Sequence, residues 1–217
     1  AGATGAAVVA HAGVDKVAFT GSTAVGKSIA QSIAGTKKRL TLELGGKGAN
    51  IIFDDAPIDQ AIEGIINGIF FNQGHVCCAG SRLLIQESVA DDVIERLKHR
   101  MQTLRVGDPM DKNTDVGAIN SLAQLQRITA LANTGDEEGA QRWSVDCALP
   151  ERGFWYRPTL FLNSTDAHRI AREEIFGPVL AVQTFRTPAE AIEKAKDRKS
   201  TRLNSSHTDI SRMPSSA

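Results

Sequence analysis

Two short segments of the chain carry side chains able to do covalent chemistry. Leu42-Glu43-Leu44-Gly45-Gly46-Lys47 sets a carboxylate beside flexible backbone, and Phe70-Phe71-Asn72-Gln73-Gly74-His75-Val76-Cys77-Cys78-Ala79-Gly80 sets a thiol in a Gly-flanked turn. A thiolate adds to an electrophilic carbon and a carboxylate draws a proton from thiol or water, so Cys77 and Glu43 supply a nucleophile and a base. His75, two residues before the thiol, suggests a Cys and His dyad, although nearness in sequence does not establish a hydrogen bond. A third segment, Gly21-Ser22-Thr23-Ala24-Val25-Gly26-Lys27-Ser28, satisfies the phosphate-loop pattern G-x-x-x-x-G-K-[ST]. Ile51-Ile52-Phe53-Asp54 has the form of the apolar strand whose terminal Asp holds magnesium in phosphate-loop NTPases. That pattern has four free positions and leaves the Glu43 and Cys77 segments without a role, so the NTPase is the weaker reading.

The elements that must hold these residues alternate between strand and helix. Ala6 to His11 closes a helix, Val14 to Thr20 is a short apolar strand running into Gly21, and Val25 to Ile33 is a helix. Arg39 to Leu44 and Ala49 to Phe53 read as strands, and the helix from Asp59 to Phe71 leads straight into the Cys77 turn. Leu83 to Gln86 is a strand; Val89, Val93, Leu97, Met101 and Leu104 then recur every three or four residues, the stripe of an amphipathic packing helix. Leu122 to Ala132 is another helix, the Gly-rich stretch from Asn133 to Gly153 reads as loop, and Val179 to Phe185 alternates as a strand. Strands separated by helices imply an α/β fold with a mostly parallel sheet.

Composition excludes several partners. Lys+Arg and Asp+Glu balance at 25 each and aromatic residues make up 5%, so neither a basic field nor stacking platforms favour nucleic acid or an anionic membrane. A small neutral ligand or a nucleotide fits better. Three cysteines, Cys77, Cys78 and Cys147, make an odd count with two adjacent, which suits a reducing, cytoplasmic setting over a disulfide framework. No apolar run reaches membrane-spanning length. The opening Ala1-Gly2-Ala3-Thr4-Gly5 reads as the interior of a longer protein.

Taken in order, Val14-Asp15-Lys16-Val17-Ala18-Phe19-Thr20-Gly21-Ser22, the Glu43 and Cys77 segments, Val106-Gly107-Asp108-Pro109 and Arg172-Glu173-Glu174-Ile175-Phe176-Gly177-Pro178-Val179 resemble the aldehyde dehydrogenase superfamily. Glu43 falls in its glutamate box and Cys77 in its cysteine box. The resemblance covers Gly2 to Lys196. It implies that residues 1–44 end a Rossmann-like NAD(P)-binding domain and that residues 45–196 are an incomplete catalytic domain. It also implies oxidation of a small-molecule aldehyde to a carboxylic acid with NAD or NADP, through a thiohemiacetal and then a thioester on Cys77. Glu43 activates the water that hydrolyses the thioester, and the Cys77 amide is one donor to the oxyanion. Gly21, Ser22, Val25, Leu44 and Gly45 are expected to line the dinucleotide, with Glu174 and Phe176 at its nicotinamide-side ribose and ring. No metal is implied, and the intact parent is expected to be a homo-oligomer. The run from Ser81 to Ser88 is similar to a long subfamily carrying a second dehydrogenase-like unit.

His75 departs from the box, which usually carries Gln or Glu there. A catalytically inactive structural or interaction member of the family is therefore the alternative reading. After Lys196 the composition changes: residues 197–217 hold eight Ser or Thr in 21 positions and few large apolar side chains, and Asp197 to His207 resembles one reading frame of a sequencing adapter. The expectation there is a non-native or disordered tail.

Overall fold

The computed structural model describes residues 2–196, so the tail expected over 197–217 lies outside the described residues. The chain divides into two compact units, one ending at Gly46 and the other beginning at Lys47. In the first, helix α1 (Gly2–Ala10) precedes strand β1 (Lys16–Gly21), helix α2 (Thr23–Ser32) and strand β2 (Arg39–Leu44), and β1 and β2 pair in parallel. Helix α2 starts two residues before the expected Val25. Ser22 accounts for this: it lies in extended conformation as N-cap and its Oγ accepts from the Val25 amide at 3.4 Å. Gly26 lets α2 lie close on β2, since a β-carbon there would come within 2.6 Å of Leu44 Cδ2.

The second unit carries strands β3 (Ala49–Ile52), β4 (Arg82–Gln86), β5 (Gln141–Ser144), β6 (Thr159–Leu162) and β7 (Val179–Phe185), in spatial order β3-β4-β7-β6-β5. All pairings are parallel except β5 with β6, so the mostly parallel sheet expected from the sequence is present. The central strands read as continuous apolar runs because both faces are covered. Leu83, Ile85, Leu160, Leu180 and Val182 face one cluster with Ile65 and Ile69 of helix α3 (Ile58–Phe70) and Val93, Leu97 and Met101 of helix α4 (Ala90–Met101). On the opposite face, Phe161 and Val179 pack with Ile128 and Leu131 of helix α5 (Leu122–Glu137), and Leu84 and Phe185 with Ala191 of helix α7 (Pro188–Ala195).

The stretch from Asn133 to Gly153 is not all loop. Helix α5 runs on to Glu137, and β5 follows after Gly139, whose φ of 92° ends the helix turn. Glycine is misleading here: Gly135 does not break α5 but lets it approach the sheet, because a β-carbon would lie 2.8 Å from Phe161 Cε1 and 3.0 Å from Ile170 Cγ2. Strand β6, the short helix α6 (Arg169–Arg172) and α7 were also not anticipated. Two effects therefore compete in Gly135→Ala. Better helix propensity contributes about 1 kcal/mol, whereas overpacking against two fully buried side chains costs about 1–3 kcal/mol. We expect net destabilisation, seen as a lower urea midpoint at unchanged slope; a raised midpoint would show that the core yields easily.

Candidate active site

Three segments that lead into neighbouring parallel strands converge at one edge of the five-stranded sheet. Ala49 of β3 lies opposite Arg82 of β4, and Arg82 lies opposite Ala181 of β7. Hence Lys47-Gly48 before β3, the Cys77 turn before β4, and Glu173 to Pro178 before β7 all arrive at the N-terminal ends of their strands. Gly48 fits against the turn with no space to spare, as a β-carbon would meet Ala79 O at 2.9 Å. The Gly80 amide donates to Gly68 O at 2.9 Å and the Ala79 amide to Val76 O at 3.1 Å, which fixes the turn around Cys77 and Cys78. Both of those thiols are exposed, and Cys147 is half-buried.

The turn enters through three successive left-handed residues, Asn72 (φ 50°), Gln73 (φ 56°) and Gly74 (φ 73°). Two of these are not glycine, so side chains must hold them. Asn72 Nδ2 donates to His75 O at 3.1 Å, and Gln73 Oε1 accepts from the Gly117 amide at 3.0 Å. At Gly74 a β-carbon would lie 2.3 Å from Gly177 O, so this position joins the Cys77 turn to the loop before β7. Beside it, His75 and Phe176 stack with ring centroids 5.4 Å apart and planes 7° from parallel. Phe176 itself has φ 57°. Gln124 of α5 donates through Nε2 to Ile175 O at 3.0 Å and to Phe176 O at 2.9 Å, while Arg127 donates to Glu174 O at 3.2 Å.

His75 is therefore engaged with Phe176, and among the described residues no hydrogen bond joins it to Cys77. Its Nε2 is buried without a partner, and burial holds the imidazole below its usual pKa. Cys77, Glu174 and Phe176 thus belong to one edge of the second unit. Glu43, Gly21, Ser22, Val25, Leu44 and Gly45 belong to the first unit, where Thr20 lies opposite Glu43 and Gly21 opposite Leu44, at the C-terminal ends of β1 and β2. Ser22 follows directly and caps α2. The phosphate-loop reading fails here: Thr23 to Lys27 are helical, the Gly26 amide is spent on Ser22 O at 3.0 Å, and Lys27 is exposed. Asp54, the proposed magnesium ligand, instead accepts from Gln86 Nε2 at 2.6 Å. Among the described residues no group of three or more His, Cys, Asp or Glu could hold a metal ion, and no helix is long and apolar enough to cross a membrane.

Lys47 is the residue that motif reading passed over. It is 4% exposed and its Nζ has no hydrogen-bond partner. Burial, followed by the neighbouring Arg82 guanidinium, lowers its pKa to about 7 against the opposing pull of Glu174. Arg82 lies next to it because its Nε donates to Lys47 O at 3.0 Å. A lysine between two glycines and an apolar strand was the available signal.

The amine is shed near pH 7 in the folded chain but keeps its proton to about 10.5 when unfolded. The unfolded state then binds more protons across that window, and stability rises with pH through it. Lys47→Met is expected to be more stable than the unsubstituted protein near pH 7, with the gap narrowing toward pH ~10. Urea titrations across that range measure it; a constant gap would show that the amine is not neutralised on folding.

The model of the aldehyde dehydrogenase family matches residues 1–211. An aldehyde dehydrogenase of Emericella nidulans is 47% identical over 190 residues, and retinal dehydrogenase 2 of Rattus norvegicus is 47% identical over 195. These alignments cover 87% and 89% of this chain, which spans 38% of the length of each relative. Among solved structures, betaine aldehyde dehydrogenase from Staphylococcus aureus in complex with NAD+ matches with TM-score 0.86 at 36% identity, over 91% of this chain and 40% of that one. An NAD-dependent aldehyde dehydrogenase from Sinorhizobium meliloti matches with TM-score 0.84 at 42% identity, over 87% of this chain and 38% of that one.

Proposed function

Because the chain belongs to the aldehyde dehydrogenase family, we propose that the whole protein carrying it oxidises an aldehyde to a carboxylic acid with NAD or NADP, using Cys77 as nucleophile and Glu43 as base. The observation that carries this reading is the docking of the exposed Cys77 turn on the loop that holds Phe176. On this reading, residues 1–44 end the dinucleotide-binding domain and residues 45–196 belong to the catalytic domain.

The residues present suit a dinucleotide. A parallel strand ending at Gly21, followed by the Ser22-capped start of α2, is the arrangement in which a helix N-terminus stabilises phosphate charge. Gly21, Ser22, Val25, Leu44 and Gly45 would hold that end, while Glu174 would accept from ribose hydroxyls and Phe176 would abut the ring. Once bound, the dinucleotide supplies a hydride acceptor. The Staphylococcus aureus betaine aldehyde dehydrogenase, solved in complex with NAD+, supports a dinucleotide as the cofactor.

The chain's own groups do the rest. Cys77 Sγ gives its proton to Glu43 and bonds to the aldehyde carbon, while the carbonyl oxygen becomes the thiohemiacetal oxygen near the Cys77 amide. Loss of hydride from that carbon leaves a thioester. Having passed the thiol proton to solvent, Glu43 removes a proton from water, the hydroxide adds to the acyl carbon, and the C–S bond breaks, the acid leaving as the thiolate takes the proton held by Glu43.

In the whole protein, Cys77→Ala is expected to lower aldehyde-dependent NAD(P)H formation at least about a thousand-fold. Glu43→Gln should retain a burst of up to one equivalent per site while slowing the steady rate by about 10²–10⁴. Normal turnover in the Cys77 variant would defeat the assignment.

A further inference from the structure

Phe176 is a bulky residue in the left-handed backbone region, with φ 57°. Such a conformation is disfavoured for a bulky side chain and persists only where its surroundings over-determine it. Three restraints act there. Gln124 holds the carbonyls of Ile175 and Phe176, Gly74 seats against Gly177 O, and the imidazole of His75 lies along the Phe176 ring. The first two act on backbone, so the His75 ring is the restraint among them that bears on the direction of the Phe176 side chain.

We propose that His75 is a positioning residue: by stacking on Phe176 it aims that ring at the dinucleotide and ties it to the turn bearing Cys77. The inference rests on the dehydrogenase reading only for the identity of what Phe176 meets. His75 and Cys77 are two positions apart in one turn, so a ring locked to Phe176 fixes the spacing between nucleophile and cofactor face. The imidazole suits the task as a flat, uncharged ring. Its Nε2 finds no partner in the buried contact, and burial disfavours the imidazolium. A parallel arrangement with centroids 5.4 Å apart is within the range of offset-stacked pairs. A phenyl group at position 75 should therefore do the same work, whereas a side chain without an aromatic face should not.

The test compares His75→Ala and His75→Phe in the whole protein, with His75→Leu, which keeps bulk but has no aromatic face, replacing the Ala variant if that does not fold. Steady-state kinetics give the KM for dinucleotide and for aldehyde separately. Iodoacetamide labelling, located at Cys77 by peptide mass, follows the turn without any turnover. In His75→Ala the dinucleotide KM should rise about 3- to 10-fold, the range to which an aromatic-pair interaction converts. Aldehyde KM should stay within about twofold and Cys77 should label several times faster; His75→Phe should restore both to within about twofold. If the Ala and Phe variants behave alike in dinucleotide KM and in labelling, the proposal is overturned. If the unsubstituted protein turns over no aldehyde, yet labelling still separates the two variants, the dehydrogenase reading fails while the tie between His75 and Phe176 stands.

Discussion

The second unit depends on where its last strand goes. β7 does not extend the sheet at an edge but inserts between β4 and β6, parallel to both. Two neighbouring parallel strands must have their lead-in segments at the same end, so the insertion brings the Glu173 to Pro178 loop beside the Cys77 turn. With β3 on the other side of β4, the Lys47-Gly48 segment joins them. Ligand sites in open α/β sheets commonly lie beyond the carboxyl ends of strands. Here the thiol stands at the amino ends, because the chemistry-bearing residues precede their strands. In the first unit, by contrast, Glu43 and the start of α2 lie at the carboxyl ends of β1 and β2.

Two buried cations show how this edge tolerates charge. Arg82 is 5% exposed, and its guanidinium donates to the carbonyls of Lys47, Lys194 and Ala195 at 3.0, 2.9 and 3.1 Å. A guanidinium keeps its charge, so burial requires that its donors be used, and the last carbonyls of α7 offer the negative end of a helix. Lys47, buried to a similar extent, has no such set of acceptors and yields its proton instead. One site thus contains both solutions to the cost of burying a positive group. Burial first, and the guanidinium that Arg82 sets against the carbonyl of Lys47 second, lower the pKa of the amine.

Family and fold class were legible in the sequence where residue type and local order suffice. The helix leading into the Cys77 turn, the strand carrying Glu43 and the parallel character of the sheet all follow from periodicity and from turn residues. Strand order was not legible, because β4 and β7 are separated by nearly a hundred residues and nothing local in Leu83-Leu84-Ile85 names Val179 to Phe185 as partner. Glycines misled in both directions. Gly26 completed a phosphate-loop pattern while serving to seat α2 on Leu44, and Gly135 suggested loop while serving to seat α5 on Phe161. Lys47 was overlooked because lysines are seldom buried, and the His75 stack because it depends on the rotation of two rings that sequence spacing does not encode.

The close approach of Gly74 to Gly177 also sets an order of events in time. About a hundred residues separate the two positions, and synthesis at about 5–20 residues per second takes roughly 5–20 s to cross them. Throughout that interval the segment bearing Cys77 has left the ribosome's active centre while the loop against which it seats is still unmade. The thiol therefore acquires its geometry late, when β7 arrives and closes the middle of the sheet. A nascent chain cut short before that point would carry Cys77 without the loop against which its turn seats.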